Sequence, residues 1–152
     1  MKTLVIIAIS LFFSLFTNAQ IATMKEKITK ELSKMGTNER TNWPILIEKD
    51  STVCLENDSI FSFPNRIYVW DVKEKMDSLG YRPATADELA IYGQTNDFSK
   101  FDFYLYATGD IFPVDIFGNK SHVVPCLEKR GLCCYLWFCV GGTDNKFLGI
   151  KK

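Results

Sequence analysis

The side chains best suited to redox, metal or nucleophilic chemistry are five cysteines, at positions 54, 126, 133, 134 and 139, and one histidine, His122. An odd number of cysteines leaves at least one thiol unless it pairs between chains. Pairing depends on register. If Glu128-Lys129-Arg130-Gly131 is the loop of a hairpin, Leu127 faces Leu132 and Cys126 faces Cys133. Directly opposed residues have Cα atoms about 4.5–5.5 Å apart, inside the range a disulfide needs. Cys126–Cys133 is therefore a candidate disulfide, and buried reduced cysteines acting as small hydrophobes are the alternative. Cys134 then points to the opposite face with Leu136.

The same geometry argues against a metal or a cysteine–histidine pair. Cys133 and Cys134 are adjacent and point apart on a strand. His122 and Cys126 share a face, but four residues of strand separate them by about 13 Å. In that register the cross-strand neighbour of His122 is Trp137, which is no nucleophile. Asp87 and Glu88 are adjacent on a helix and diverge, and nothing in the sequence fixes Asp110 against Asp115. No glycine-rich phosphate loop or serine elbow is present. The expectation is no catalytic residue, no metal and no cofactor.

Two other sets of residues could bind rather than react. Tyr104, Tyr106, Tyr135 and Trp137 fall on the outward positions of alternating strands. Flat aromatics there suit sugar or protein contact; the alternative is that Tyr104 and Tyr106 cover a second sheet face or pack under the N-terminal helix. Arg82 stands in Gly80-Tyr81-Arg82-Pro83-Ala84-Thr85, where the local architecture does not require it. It either pairs with a carboxylate or touches a ligand.

These residues need elements to position them. Ile21, Met24, Ile28, Leu32 and Met35 recur at helical spacing, which predicts an amphipathic helix over 21–35, followed by a linker at 37–42. Short strands are expected at 45–47, 52–55, 60–63 and 67–70. Asp71 and Glu74 predict one capping box, with Val72, Met76 and Leu79 facing inward and Gly80 closing the helix. Pro83 holds the chain extended. Thr85 and Glu88 predict a second capping box, with Ala86, Leu89 and Tyr92 inward and Gly93 ending that helix. From Phe101 the period becomes two: Phe101, Phe103, Leu105 and Ala107 alternate with polar or tyrosine positions. Strands then follow at 111–117, 122–127, 132–140 and 146–150, with Pro113 marking an edge or broken strand. The predicted fold class is α+β in a single domain over 20–152: an N-terminal amphipathic helix, two capped helices and a C-terminal antiparallel meander.

Residues 1–19 read as an address. A basic start at Lys2, an apolar run of about 13 residues and a small-residue site at Thr17-Asn18-Ala19 make a secretory signal peptide. The run is short of the roughly 20 residues a spanning helix needs. Cleavage is expected between Ala19 and Gln20, leaving a secreted or periplasmic chain without a stable membrane span. The 152 residues carry 18 basic and 18 acidic side chains, so a nucleic-acid partner, which calls for a basic surplus, is not expected. The aromatic load is 14%, part of it in the leader.

The stretch Gly80-Tyr81-Arg82-Pro83-Ala84-Thr85-Ala86-Asp87-Glu88-Leu89, with Val124-Pro125-Cys126-Leu127 and Phe147-Leu148-Gly149-Ile150-Lys151, resembles a group of small uncharacterised bacterial proteins. Their pattern is G-x-R-P-A-T-x-x-E-L, then V-P-C-L, then F-L. The resemblance spans about residues 78–152 and implies no activity. A very distant similarity to the sulfatase-modifying-factor and C-type-lectin-like group stops at Pro83 and Thr85, and no site residues carry over. The function expected from the sequence is an exported, non-catalytic domain that binds a protein or glycan. The alternatives are an enzyme using carboxylate or cysteine chemistry, and an interbacterial competition or immunity protein.

Overall fold

The computed structural model describes residues 26–34, 37, 39, 44–63, 67–97, 101–116, 119–139 and 146–152. The leader and its cleavage site, the start of the predicted N-terminal helix and most of the 37–42 linker lie outside the described residues. Within them are three helices and a mixed sheet of eight strands, an α+β arrangement. The helices are α1 (26–33), α2 (Val72–Ser78) and α3 (Ala86–Thr95). The strands are β1 (Ile45–Ile47), β2 (Asp58–Ser62), β3 (Tyr81–Pro83), β4 (Leu105–Tyr106), β5 (Phe112–Ile116), β6 (Asn119–Arg130), β7 (Cys133–Cys139) and β8 (Lys146–Lys151).

The strand order is β1-β7-β6-β4-β8-β2, with β5 added beside β6 and β3 beside β8. Of the meander of four or five strands expected from Phe101 onward, β5, β6 and β7 pair in sequence order. Pro113 sits in β5, which among the described residues pairs only with β6, the edge position that proline tolerates. Strand β8 leaves the meander. It crosses to the far side of β4, runs parallel to it, and pairs antiparallel with β2 and β3. The expected strands at 52–55 and 67–70 do not form.

Strand alternation divides the interior into two cores. On the first face, Leu105, Leu127, Leu136 and Leu148 are buried beneath α1 and α3, together with Ile28, Ala86, Leu89 and Tyr92. Burying each such leucine stabilises the fold by about 1.5–3 kcal/mol. On the second face, Tyr106, Val124, Cys126 and Phe147 pack with Val72 and Met76 of α2. The apolar stripe of α1 is thus turned inward at Ile28 and Leu32. In α2, Val72 and Met76 are buried as expected, but Leu79 is exposed.

The two predicted capping boxes part company. Thr85 is extended, its hydroxyl accepts from the Glu88 amide, and Glu88 reaches back to the Thr85 amide at 2.8 Å. Asp71 lies in the helical region (φ −85°, ψ −15°) and its side chain makes no cap bond. An N-cap carboxylate needs extended backbone to meet the next amides. Gly80 does close α2, with φ +80°. Gly93 does not close α3. It is a close-packing position inside the helix, where a Cβ would stand 3.2 Å from Ile47 and Leu127. The helix instead ends where the Asn96 amide and side chain both donate to the Tyr92 carbonyl.

Candidate functional site

Arg82 is explained by its neighbours. It lies on β3 opposite Ile150, and both of its terminal nitrogens donate to the two carboxylate oxygens of Glu88. Glu88 therefore serves the capping box and the guanidinium together. Partial burial works to raise its pKa, but the Arg82 fork and the Thr85 amide and hydroxyl outweigh that, and the carboxyl lies below its ordinary value. A second device holds the same helix start: Asp110 accepts from the Ala86 amide at 2.8 Å. Gly109 makes this approach possible, because a Cβ there would stand 2.7 Å from the Ala84 carbonyl oxygen. Arg82 is thus tied into the architecture of α3, apart from the aromatic residues.

The four aromatics named from the sequence do share a sheet face. Tyr104 and Tyr106 have ring centroids 6.4 Å apart. Tyr106 opposes Cys126 on β6, and Cys126 opposes Trp137 on β7. Tyr135 opposes Glu128 on one side and Leu46 of β1 on the other. Paired residues point the same way, so these side chains form one surface. They are not equal. Tyr106 is 4% exposed and fills the second core, as the alternative reading had it. Trp137 packs against that core and is half-buried, Tyr135 is half-buried, and Tyr104 is 44% exposed.

Sequence reasoning missed the residues that knit this surface together. Arg130 lies over both rings of β7, 5.8 Å from the Tyr135 centroid and 5.3 Å from that of Trp137. It also bonds Glu128 at 2.8 Å, and Glu128 accepts from the Tyr104 hydroxyl at 3.4 Å. The Glu128 bond raises the Arg130 pKa further, with the nearby tyrosines adding to it. The sequence did hold the signal: Glu128 and Arg130 are two apart, hence on one strand face. It was hidden because that segment read as a loop.

Among the described residues, helix α2 and the chain leading into it cover only one end of this second face. The other end, across β1, β7, β6 and β4, is about 14 Å wide at the usual strand spacing. It presents Leu46, Tyr135, Trp137, Arg130, Glu128 and Tyr104, with Leu132 at the hairpin tip, 96% exposed. At the rim, an open groove of about 410 Å³ runs between α1 and β1, lined by Lys27, Glu31, Ile45, Leu46 and Gln94 among others.

The cysteine pairing is corrected by the register. The β6–β7 turn is Gly131-Leu132, with Arg130 opposite Cys133. Gly131 has φ +62°, in the first turn position that a type II′ hairpin reserves for glycine. Cys126 then faces Trp137, and Cys133 lies four residues further along the hairpin, about 13 Å away. Cys126 and Cys133 are not joined to each other, the first being buried and the second exposed. Cys134 is buried in the first core, and burial pushes its thiol up to about 12, away from reactivity. His122 faces Pro113 of β5 and meets Trp70, not Trp137. Among the described residues, no group of three or more His, Cys, Asp or Glu could hold a metal ion, and no helix is long and apolar enough to cross a membrane.

No family model, curated protein or solved structure matches this chain.

Proposed function

We propose that the chain is an exported, non-catalytic binding domain whose partner is a protein seated on the uncovered half of the second sheet face. The observation that carries this reading is Arg130 lying over Tyr135 and Trp137 while bonded to Glu128. Tyrosine, tryptophan and arginine are the anchor residues of protein interfaces. Here they are held in place before any partner arrives, which lowers the ordering cost of binding. These side chains lie across neighbouring strands of one sheet face, whereas small-molecule sites are concave. Arg130 also takes up ring faces on which a sugar would stack. Exposed Leu46 and Leu132 extend the apolar area at two margins. Export rests on the leader over residues 1–19.

The test is affinity capture from cell-envelope extract with the tagged chain, beside Tyr104→Ala and Arg130→Ala variants of unchanged circular dichroism. A protein retained by the parent and lost from both variants supports the proposal. Equal retention by all three refutes it. So does a glycan array in which the parent binds sugars and the two variants do not.

A further inference from the structure

A second group of exposed aromatics lies at the other end of the same face. In the segment entering α2, Ile67 and Val69 pack against the second core, and Val72 is buried in it. The residues between them project outward: Tyr68 is 64% exposed and Trp70 is 54% exposed. Their presentation is fixed. The Asp71 amide donates to the Tyr68 carbonyl at 2.9 Å, closing a turn directly onto the helix.

The chemistry around them is polar. Trp70 meets His122 at a centroid distance of 5.4 Å with planes 88° apart. Whichever ring supplies the edge in such a contact, His122 covers at most one face of the indole. Asp71, next in sequence and exposed, spends no hydrogen bond on capping α2, so its carboxylate is an available acceptor. Lys73 and Glu74, which follow, are exposed as well. A half-exposed indole with an imidazole against it and an exposed carboxylate on the next residue suits a pyranose ring, which has an apolar C–H face and hydroxyls at its rim. A protein hot spot would need an apolar surround that excludes water, and the flanking residues here are charged.

We propose that Trp70, with Tyr68, Asp71 and His122, forms a carbohydrate subsite that stacks one sugar ring on the indole. It is separate from the Tyr104–Trp137 face and does not depend on it. The purified chain is titrated with cellohexaose, chitohexaose, maltohexaose and lysozyme-released peptidoglycan fragments, read by calorimetry. At least one of these binds the parent. Trp70→Ala weakens that binding about tenfold or more, Tyr68→Ala and Asp71→Asn weaken it less, and Trp137→Ala leaves it within about twofold. Tyr68 and Trp70 are exposed and Trp137 is half-buried, and unchanged circular dichroism confirms the folding of all three variants. Absence of binding by every probe overturns the subsite. So does binding that survives both Trp70→Ala and Tyr68→Ala, or binding lost only in Trp137→Ala. None of these results touches protein capture by the Tyr104–Trp137 face, so the two proposals fail separately.

Discussion

Replacing Gly109 by alanine tests how the start of α3 is held. Its Cβ would stand 2.7 Å from the Ala84 carbonyl oxygen and 2.9 Å from that of Pro83, both backbone atoms. Ordinary contact begins near 3.4 Å, so the Gly109–Asp110 turn must withdraw by about 0.7 Å. The hydrogen bond from the Gly109 amide to Ala84, now 2.9 Å, would stretch to about 3.6 Å and be lost. Asp110, carried with the turn, would release the Ala86 amide. A neutral bond contributes about 1 kcal/mol and one to a carboxylate about 1.5–3 kcal/mol. Against this, alanine stiffens the unfolded chain by about 0.4–1 kcal/mol. The net cost is about 2–3 kcal/mol, and a domain of this size loses about 4 °C of Tm per kcal/mol, so Tm should fall by about 8–12 °C. Thermal melts followed by circular dichroism read this directly. Gly149→Ala is the comparison, because its Cβ meets only side-chain atoms of Phe61 and Met76, which can give way, and its loss should be smaller. An unchanged or raised Tm for Gly109→Ala would refute the close approach.

Glu88→Gln should be destabilised by about 1 kcal/mol, the worth of a cap, because its ion pair with Arg82 is partly exposed. Its carboxyl lies below the ordinary 4.5, so the gap to the parent is full above that pH and closes as pH falls through the folded value; melts over a pH series check this. A thiol-reactive probe on the native chain at neutral pH should label Cys54 and Cys133, which are exposed, and reach Cys126 and Cys134 only after unfolding. Peptide mapping without reductant should find no Cys126–Cys133 bond. Leu132→Ser, at the exposed hairpin tip, should move stability by less than about 0.5 kcal/mol in a denaturant titration.

How much of this was legible in the sequence depends on how local each feature is. The Thr85–Glu88 box spans three residues and read correctly. The same three-residue spacing at Asp71–Glu74 failed, because capping also needs an extended backbone that spacing alone does not reveal. The hairpin turn was misplaced because Glu128, Lys129 and Arg130 look like a loop, while polar residues are equally at home where a strand runs out into solvent. The true turn holds Gly131 and an exposed leucine. That error moved every cross-strand partner by four residues, an even number. Faces were therefore preserved while partners changed, so the inward and outward assignments of β6 and β7 survived and the disulfide did not. Gly93 read as a stop because packing against Ile47 and Leu127 is invisible to local pattern. The aromatic set was legible as a face. Its organisation by Arg130 and Glu128 was not, since that needed the register. Arg82 resolved to the carboxylate-pairing alternative, with Glu88 as its partner.

The central claim is that a protein docks on the uncovered face. A photo-crosslinking amino acid placed at Leu132, on the rim of that face, and at Lys73, exposed on α2, tests it in cells expressing the chain. The account predicts a discrete protein adduct from position 132 that disappears when Arg130→Ala is added, and no such adduct from position 73. No adduct from position 132, or one that persists without Arg130, would contradict it.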